Sequence, residues 1–301
     1  MTEDILPHSL LVISEMNDMD PLDAGMIPVL NILRRMLANK SPALKSIGWF
    51  HVGDELMRFP LDHHVNAALA FVYHQMWRPD LRQGLSEHYQ DSSYLLRFGD
   101  ANNTERVLPG IYWVPLGLYN TFEPNHLFDS PVEKRKNLFG FLGSVNGKPR
   151  GQMVDALQNH EHWHKLKDRG TLRVLGRWHD STVEPPSIYR SMLYHTQYVP
   201  CPTGIHYESF RTWEAMEVGA IPVIVEGPEH EILIGLDLGI VVLPSWTHLA
   251  PFLLAVTEDE TRVRGARVRE RYSLIKSALR RHFLRALCQI RPQHPPQNAL
   301  T

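Results

Sequence analysis

Residues 198–225 read YVPCPTGIHYESFRTWEAMEVGAIPVIV. Val199 closes an apolar approach, and Pro202, Thr203 and Gly204 break it. Glu208 and Ser209 then open a helix along which Trp213, Met216 and Glu217 follow at helical spacing. Gly219 ends that helix, where a left-handed residue is needed. Residues 220–225 are short and nearly all apolar, as expected of a strand covered on both faces. A loop that enters a helix N-terminus at the carboxyl end of such a strand suits an anion. Backbone N–H groups and the helix dipole both favour a phosphate there. Arg211 lies in the first helical turn and reaches the same region. Glu214 comes one turn later, suited to accept hydrogen bonds from sugar hydroxyls. A phosphate site beside a ribose-sized acceptor suggests a nucleotide. The plain alternative is a strand–loop–helix–strand unit with a solvated Arg and Glu, which is common in α/β proteins.

Outward from this block, the pattern predicts strands over 10–14, 47–52, 111–114, 137–142, 172–175 and 240–243. Helices are expected over 28–37, 150–159, 187–195, 229–234, 247–256 and 262–287. Residues 67–76 are apolar enough for either state. Alternating strands and helices in both halves point to an α/β fold with parallel sheets. The expected division is 1–130 for an N-terminal acceptor-side Rossmann-like domain and 131–290 for a C-terminal nucleotide-sugar-binding domain. A Pro- and Gln-rich tail, 291–301, is expected to be disordered. The first domain is short for a full unit of its kind.

Composition narrows the classes. The chain has 301 residues, 43% hydrophobic and 21% charged, ordinary globular values. A net charge of −2 argues against a general nucleic-acid binder, which needs a basic surface. Two cysteines, Cys201 and Cys288, do not make a disulfide framework. Cys201 reads as a buried small residue rather than a nucleophile. No run of eighteen apolar residues is present, so no membrane span is expected. The first residues are acidic and lack the basic region of a signal peptide.

The 198–225 block resembles the nucleotide-sugar-binding half of the exostosin-type glycosyltransferases. The matching elements are Pro202 and Gly204, Ser209 and Arg211, Glu214-Ala215, and Gly219-Ala220-Ile221-Pro222-Val223, with Ala220 where many members carry Cys. Residues 138–143 followed by Arg150 resemble the family's apolar strand, Gly turn and downstream Arg. Residues 189–198 resemble its Tyr, helix and strand approach to the Pro-Gly loop. Residues 48–55 and 114–117 are similar to the N-terminal half of the branch containing ribitol xylosyltransferase-like enzymes.

The resemblance implies a GT-B-like arrangement of two Rossmann-like parallel-sheet domains with an intervening cleft. It implies inverting transfer from a UDP-sugar to a glycan or polyol acceptor, with no cofactor and no required divalent metal. Under it, Gly143, Arg150, Gly204, Tyr207, Ser209, Arg211 and Glu214 bind donor. Arg150 and Arg211 face the diphosphate, Ser209 donates to phosphate, and Glu214 takes ribose. Residues 143–150 do not have Walker spacing, and an ordinary surface turn is the alternative there. Asp54 or Glu55 is the expected general base, although Asp54 also suits a helix N-cap. Tyr207 and His206 flank the Pro-Gly loop, where either can stack on a base or meet the donor sugar. His160, His162 and His164, and Asp18 with Asp20, are weak metal candidates, and no metal site is expected. The competing class is a non-catalytic nucleotide-sugar-binding protein that keeps donor binding without turnover. The visible sequence reads as cytoplasmic; if the parent gene is longer, the Golgi lumen is the expected compartment, because eukaryotic enzymes of this type are anchored there.

Overall fold

The computed structural model describes residues 9–15, 46–52, 71–75, 111–118, 122–124, 130–145, 147–176, 185–204, 208–227 and 230–290. The chain divides into two compact units. One comprises Met1–Pro115 with Ser277–Thr301, and the other Leu116–Lys276. Among the described residues, no helix is long and apolar enough to cross a membrane.

The first unit holds a four-stranded parallel sheet in sequential order: β1 (Ser9–Glu15), β2 (Ser46–Val52), β3 (Phe71–Gln75) and β4 (Ile111–Val114). The ambiguous run 67–76 resolves as β3. The expected helix 28–37 and the tail 291–301 lie outside the described residues.

The second unit holds a five-stranded parallel sheet built from β5 (Asn137–Ser144), β6 (Gly170–Leu175), β7 (Thr196–Pro200), β8 (Ile221–Val225) and β9 (Val241–Leu243). Their order is β6-β5-β7-β8-β9. Helices α1 (Lys148–Gln158), α2 (Trp163–Leu166), α3 (Pro186–Tyr194), α4 (Phe210–Glu217), α5 (Glu231–Gly235) and α6 (Leu249–Ala255) connect and cover the strands. The long α7 (Glu258–Ile290) follows. The fold class is α/β, with a parallel sheet in each unit, as the alternating pattern requires.

The second unit begins at Leu116. The reason is local. The Leu116 N–H donates to Glu208 Oε2 at 3.0 Å. Phe122 is buried and meets Tyr189 edge-on at 6.4 Å. Leu116 and Phe122 therefore belong to the second unit's core.

That core is dominated by Phe139, Phe141, Tyr198 and Trp213, each fully buried. Burying one such side chain stabilises by roughly 1.5–3 kcal/mol. The α4 helix stops in a Schellman arrangement: Gly219 takes φ +69°, its N–H bonds Met216 O at 3.0 Å, and the Ala220 N–H bonds Ala215 O at 2.8 Å. A glycine is the residue that adopts this backbone without steric cost.

At the other end of the sheet Arg135 is buried as a cation. It donates to Thr196 O at 3.0 Å, to Leu193 O at 3.4 Å and to Val218 O. Leu193 lies in the last turn of α3 and Val218 is the C-cap of α4. The guanidinium thus meets the negative ends of two helix dipoles. Arg135→Leu should lower stability by at least about 1.5–3 kcal/mol, the worth of a charge-assisted hydrogen bond. A urea midpoint that does not move would show that these carbonyls find other donors.

Candidate functional site

Strands β5 and β7 are neighbours, yet the connections leaving them go to opposite sides. β5 leads through α1 to β6 at the sheet edge, and β7 leads through α4 to β8. Chain paths that diverge from adjacent parallel strands open a crevice at their carboxyl ends. The 143–150 turn and the loop after β7 both leave from this point. Gly147 adopts φ +102°, and a Cβ there would stand 3.6 Å from Gly204 O, so the two loops touch.

Each loop carries a glycine that makes room for an arginine of the other. Arg211, in the first turn of α4 and 6% exposed, donates Nη2 to Leu142 O at 2.8 Å. Its Cζ lies 4.3 Å from the centroid of the Phe141 ring. A Cβ at Gly143 would stand 2.7 Å from that Nη2. Arg150, in the first turn of α1, donates Nη1 to Ser144 O at 3.3 Å and to Ser144 Oγ at 3.4 Å. A Cβ at Gly204 would stand 2.6 Å from Arg150 Nη2. Real Cβ contacts do not come this close. Glycine at both positions is what lets the guanidinium groups come this close to the backbone.

The charges are close enough to feel each other. Burial, and then the Arg211 charge, lower Arg150 to about 10. Arg150 Nε, Arg211 Nε and Arg211 Nη1 are buried without a hydrogen-bond partner among the described residues. A buried donor left unpaired costs roughly 1–3 kcal/mol. Neither α1 nor α4 has an acidic residue in its first turn, and neither has a side-chain cap. Ser209, the N-cap residue of α4, is extended at φ −118° and ψ 128° and does not spend its hydroxyl on the helix. Two cations, three unmatched donors and two helix N-termini with no acid in their first turns therefore converge on one crevice.

Glu214 sits one turn after Arg211 and is 3% exposed. Its Oε2 accepts a hydrogen bond from Tyr189 Oη at 2.6 Å. Burial, followed by the Glu214 carboxylate, pushes the Tyr189 phenol well above its usual range, so it stays a donor. The sequence reading of this site did not include Tyr189. Its place at the end of the loop approach is visible in 189–198, but its partner is not. Glu208 was also read only as a helix-opening carboxylate. It is 2% exposed and holds the Leu116 N–H and Trp213 Nε1, the latter at 3.1 Å. Its carboxylate ties the unit's first residue to α4.

Gly143, Arg150, Gly204, Ser209, Arg211 and Glu214 thus lie on the two loops and helix starts around one crevice. Asp54, Glu55, Tyr207 and His206 lie outside the described residues, as do Asp18 and Asp20. His160, His162 and His164 stand edge-on in sequence, with centroids 5.7 and 6.1 Å apart. Among the described residues, no group of three or more His, Cys, Asp or Glu is placed to hold a metal ion. Cys201 is buried, bonds Val199 O at 3.1 Å, and is pushed up to about 12 by burial.

Residues 119–290 match the family model described as the RXYLT1 C-terminal domain. Comparison with curated proteins gives no match. Among solved structures, the chain is similar to an alpha,alpha-trehalose-phosphate synthase (UDP-forming) from Burkholderia vietnamiensis, at 12% identity and a TM-score of 0.48 over 89% of this chain and 73% of that one. It is similar to the trehalose-6-phosphate phosphatase N-terminal domain of Candida albicans, at 8% identity and 0.47 over 86% and 69%. It is also similar to the glycosyltransferase SnogD from Streptomyces nogalater, at 14% and 0.39 over 92% and 99%. Likeness at this level carries no information about chemistry.

Two outcomes are expected. Gly143→Ala and Gly204→Ala each bring a methyl group against an arginine guanidinium rather than against backbone, so the melting temperature should shift by little. Stabilisation by inorganic pyrophosphate should be lost in both, and a variant that keeps it would dissolve the link between glycine and guanidinium. The second concerns Cys201, read in a Cys288→Ser background. A folded thiol at about 12, against an ordinary value of 9.0, contributes stability that is complete below about pH 9. That contribution is lost as pH rises from about 9 towards 12. Alkylation at pH 8 should be slow until the protein is denatured; rapid labelling of the native chain would contradict the burial.

Proposed function

We propose, from the premise that this chain belongs to the RXYLT1 C-terminal domain family, that it is a glycosyltransferase with two parallel-sheet units in the GT-B manner. It transfers a sugar from a UDP-sugar to a glycan or polyol acceptor, with inversion. The observation that carries this is the pair of glycine-cradled arginines with unmatched buried donors at the β5/β7 crevice.

Arg150 and Arg211 bind the donor diphosphate, and the Ser209 hydroxyl and the helix N-termini add neutral donors. As the glycosidic bond breaks, negative charge grows on the departing nucleoside diphosphate. Fixed cations in a partly desolvated crevice stabilise that charge more than they stabilise the bound donor, which lowers the barrier. Two arginines supply the neutralisation for which other transferases use a divalent ion, so no metal is required. Glu214 accepts hydrogen bonds from the ribose. Tyr207 packs on the donor base or sugar. Asp54 or Glu55 removes the acceptor proton.

Arg211→Ala should weaken UDP binding by about 1.5–3 kcal/mol in calorimetry, the range for charge-assisted hydrogen bonds. UDP affinity of the parent chain should survive EDTA. Loss of binding on chelation would replace the two-arginine account with a metal site. Asp54→Asn and Glu55→Gln should both retain UDP binding, and one of them should abolish sugar transfer. If wild-type protein binds UDP-sugars yet gives no turnover with any glycan or polyol, the chain is a donor-binding protein without acceptor chemistry.

A further inference from the structure

Three successive residues of β5 act on one guanidinium. Phe141 sets its ring against Arg211, with the centroid 4.3 Å from Cζ. Leu142 accepts a hydrogen bond from Arg211 Nη2 on its carbonyl at 2.8 Å. Gly143 leaves the space that both side chains use: a Cβ there would stand 2.7 Å from that Nη2 and 3.6 Å from Phe141 Cζ. Phe141 is fully buried and Arg211 is 6% exposed, so ring and cation meet out of water.

A cation over an aromatic face is attracted by the ring's quadrupole, and the contact is strongest where both groups are desolvated. The ring carries no net charge. It can fix a guanidinium in place without cancelling it, which a carboxylate partner does not. Arg211 Nε and Nη1 stay buried without a hydrogen-bond partner among the described residues. A guanidinium already fixed in this way loses less freedom when an anion arrives. Phe139 supplies the contrast on the same strand. It is also fully buried, but it packs on Trp163, with ring centroids 6.2 Å apart. Of these two phenylalanines, one faces a ring and the other a charge.

We propose that Phe141 is a positioning residue of the donor site: its ring face holds the Arg211 charge in place for the diphosphate. This rests on the donor-site reading above and deepens it. The electron density of the Phe141 ring, and not its volume alone, then sets the affinity for phosphate.

Fluorination separates the two, because fluorine withdraws density from a ring face while changing its shape little. Phe141 is replaced in the full chain with mono-, di- and trifluorophenylalanine by site-specific incorporation, and Phe139 is replaced in the same way as a control. The probe is inorganic pyrophosphate, measured by calorimetry well below the melting temperature of each variant. Affinity should fall stepwise along the Phe141 series, to about fivefold weaker at three fluorines. The Phe139 series should stay within about twofold of wild type, since that ring meets no cation. A flat or rising Phe141 series overturns the proposal, and so does an equal fall in the Phe139 series, which would mark a general loosening of β5. Either result leaves the donor site standing. If wild-type protein binds neither pyrophosphate nor UDP, the donor-site reading falls, and this inference falls with it.

Discussion

Two guanidinium groups share one crevice with no carboxylate bonded to either, and the second unit is arranged around that constraint. Burial first, and then the like charge of Arg211, lower Arg150. The fold tolerates the repulsion because each cation is fixed by backbone it cannot leave. Arg150 is bonded to Ser144 O, and Arg211 to Leu142 O above the Phe141 ring. Both anchors belong to β5, the strand whose two neighbours give the sheet its change of direction. Arg135 offers the contrast. It is buried, and its charge is met by carbonyls at two helix ends, so that cation is spent on the fold. The other two leave buried guanidinium nitrogens without a hydrogen-bond partner among the described residues.

The acidic residues on and beside α4 complete this division. Glu208 is held by Trp213 and the Leu116 N–H, Glu214 by Tyr189, and Glu217 by Lys276 at 2.9 Å. Each carboxylate has a partner other than Arg211. A helix with three nearby acids would ordinarily quench its own arginine. Here the partners come from the start of the unit, from α3 and from α7, so the charge pattern of the crevice depends on elements distant in sequence.

That dependence explains what could and could not be read from residues alone. The strands of the second unit and the left-handed Gly219 follow from local signals, apolar runs and a glycine after a helix, whereas the association of Arg150 with Arg211 came from the family resemblance. The alternation of strand and helix was enough for the α/β class. The roles of Tyr189 and Glu208 were not legible. A tyrosine in an amphipathic helix and a glutamate before one have many possible partners, and only the packing of α3 and residue 116 against α4 selects them. Leu116 and Phe122 join the second unit through Glu208 and Tyr189, partners that lie far along the chain. Gly143 and Gly204 were recognised as loop residues, but their reason, clearance for an arginine from the opposite loop, exists only once the two loops meet.

The central position of β5 has a consequence for a chain made from its N-terminus. β5 is the first strand of its sheet to be synthesised, yet both of its neighbours come later. Asn137 pairs with Thr196, and Phe139 pairs with both Gly170 and Tyr198. Until residue 200 has left the ribosome, an almost wholly apolar strand has at least one open edge, a template for mispairing with other nascent chains. The topology that opens the crevice therefore leaves a strand edge unpaired during synthesis until β7 closes the second side.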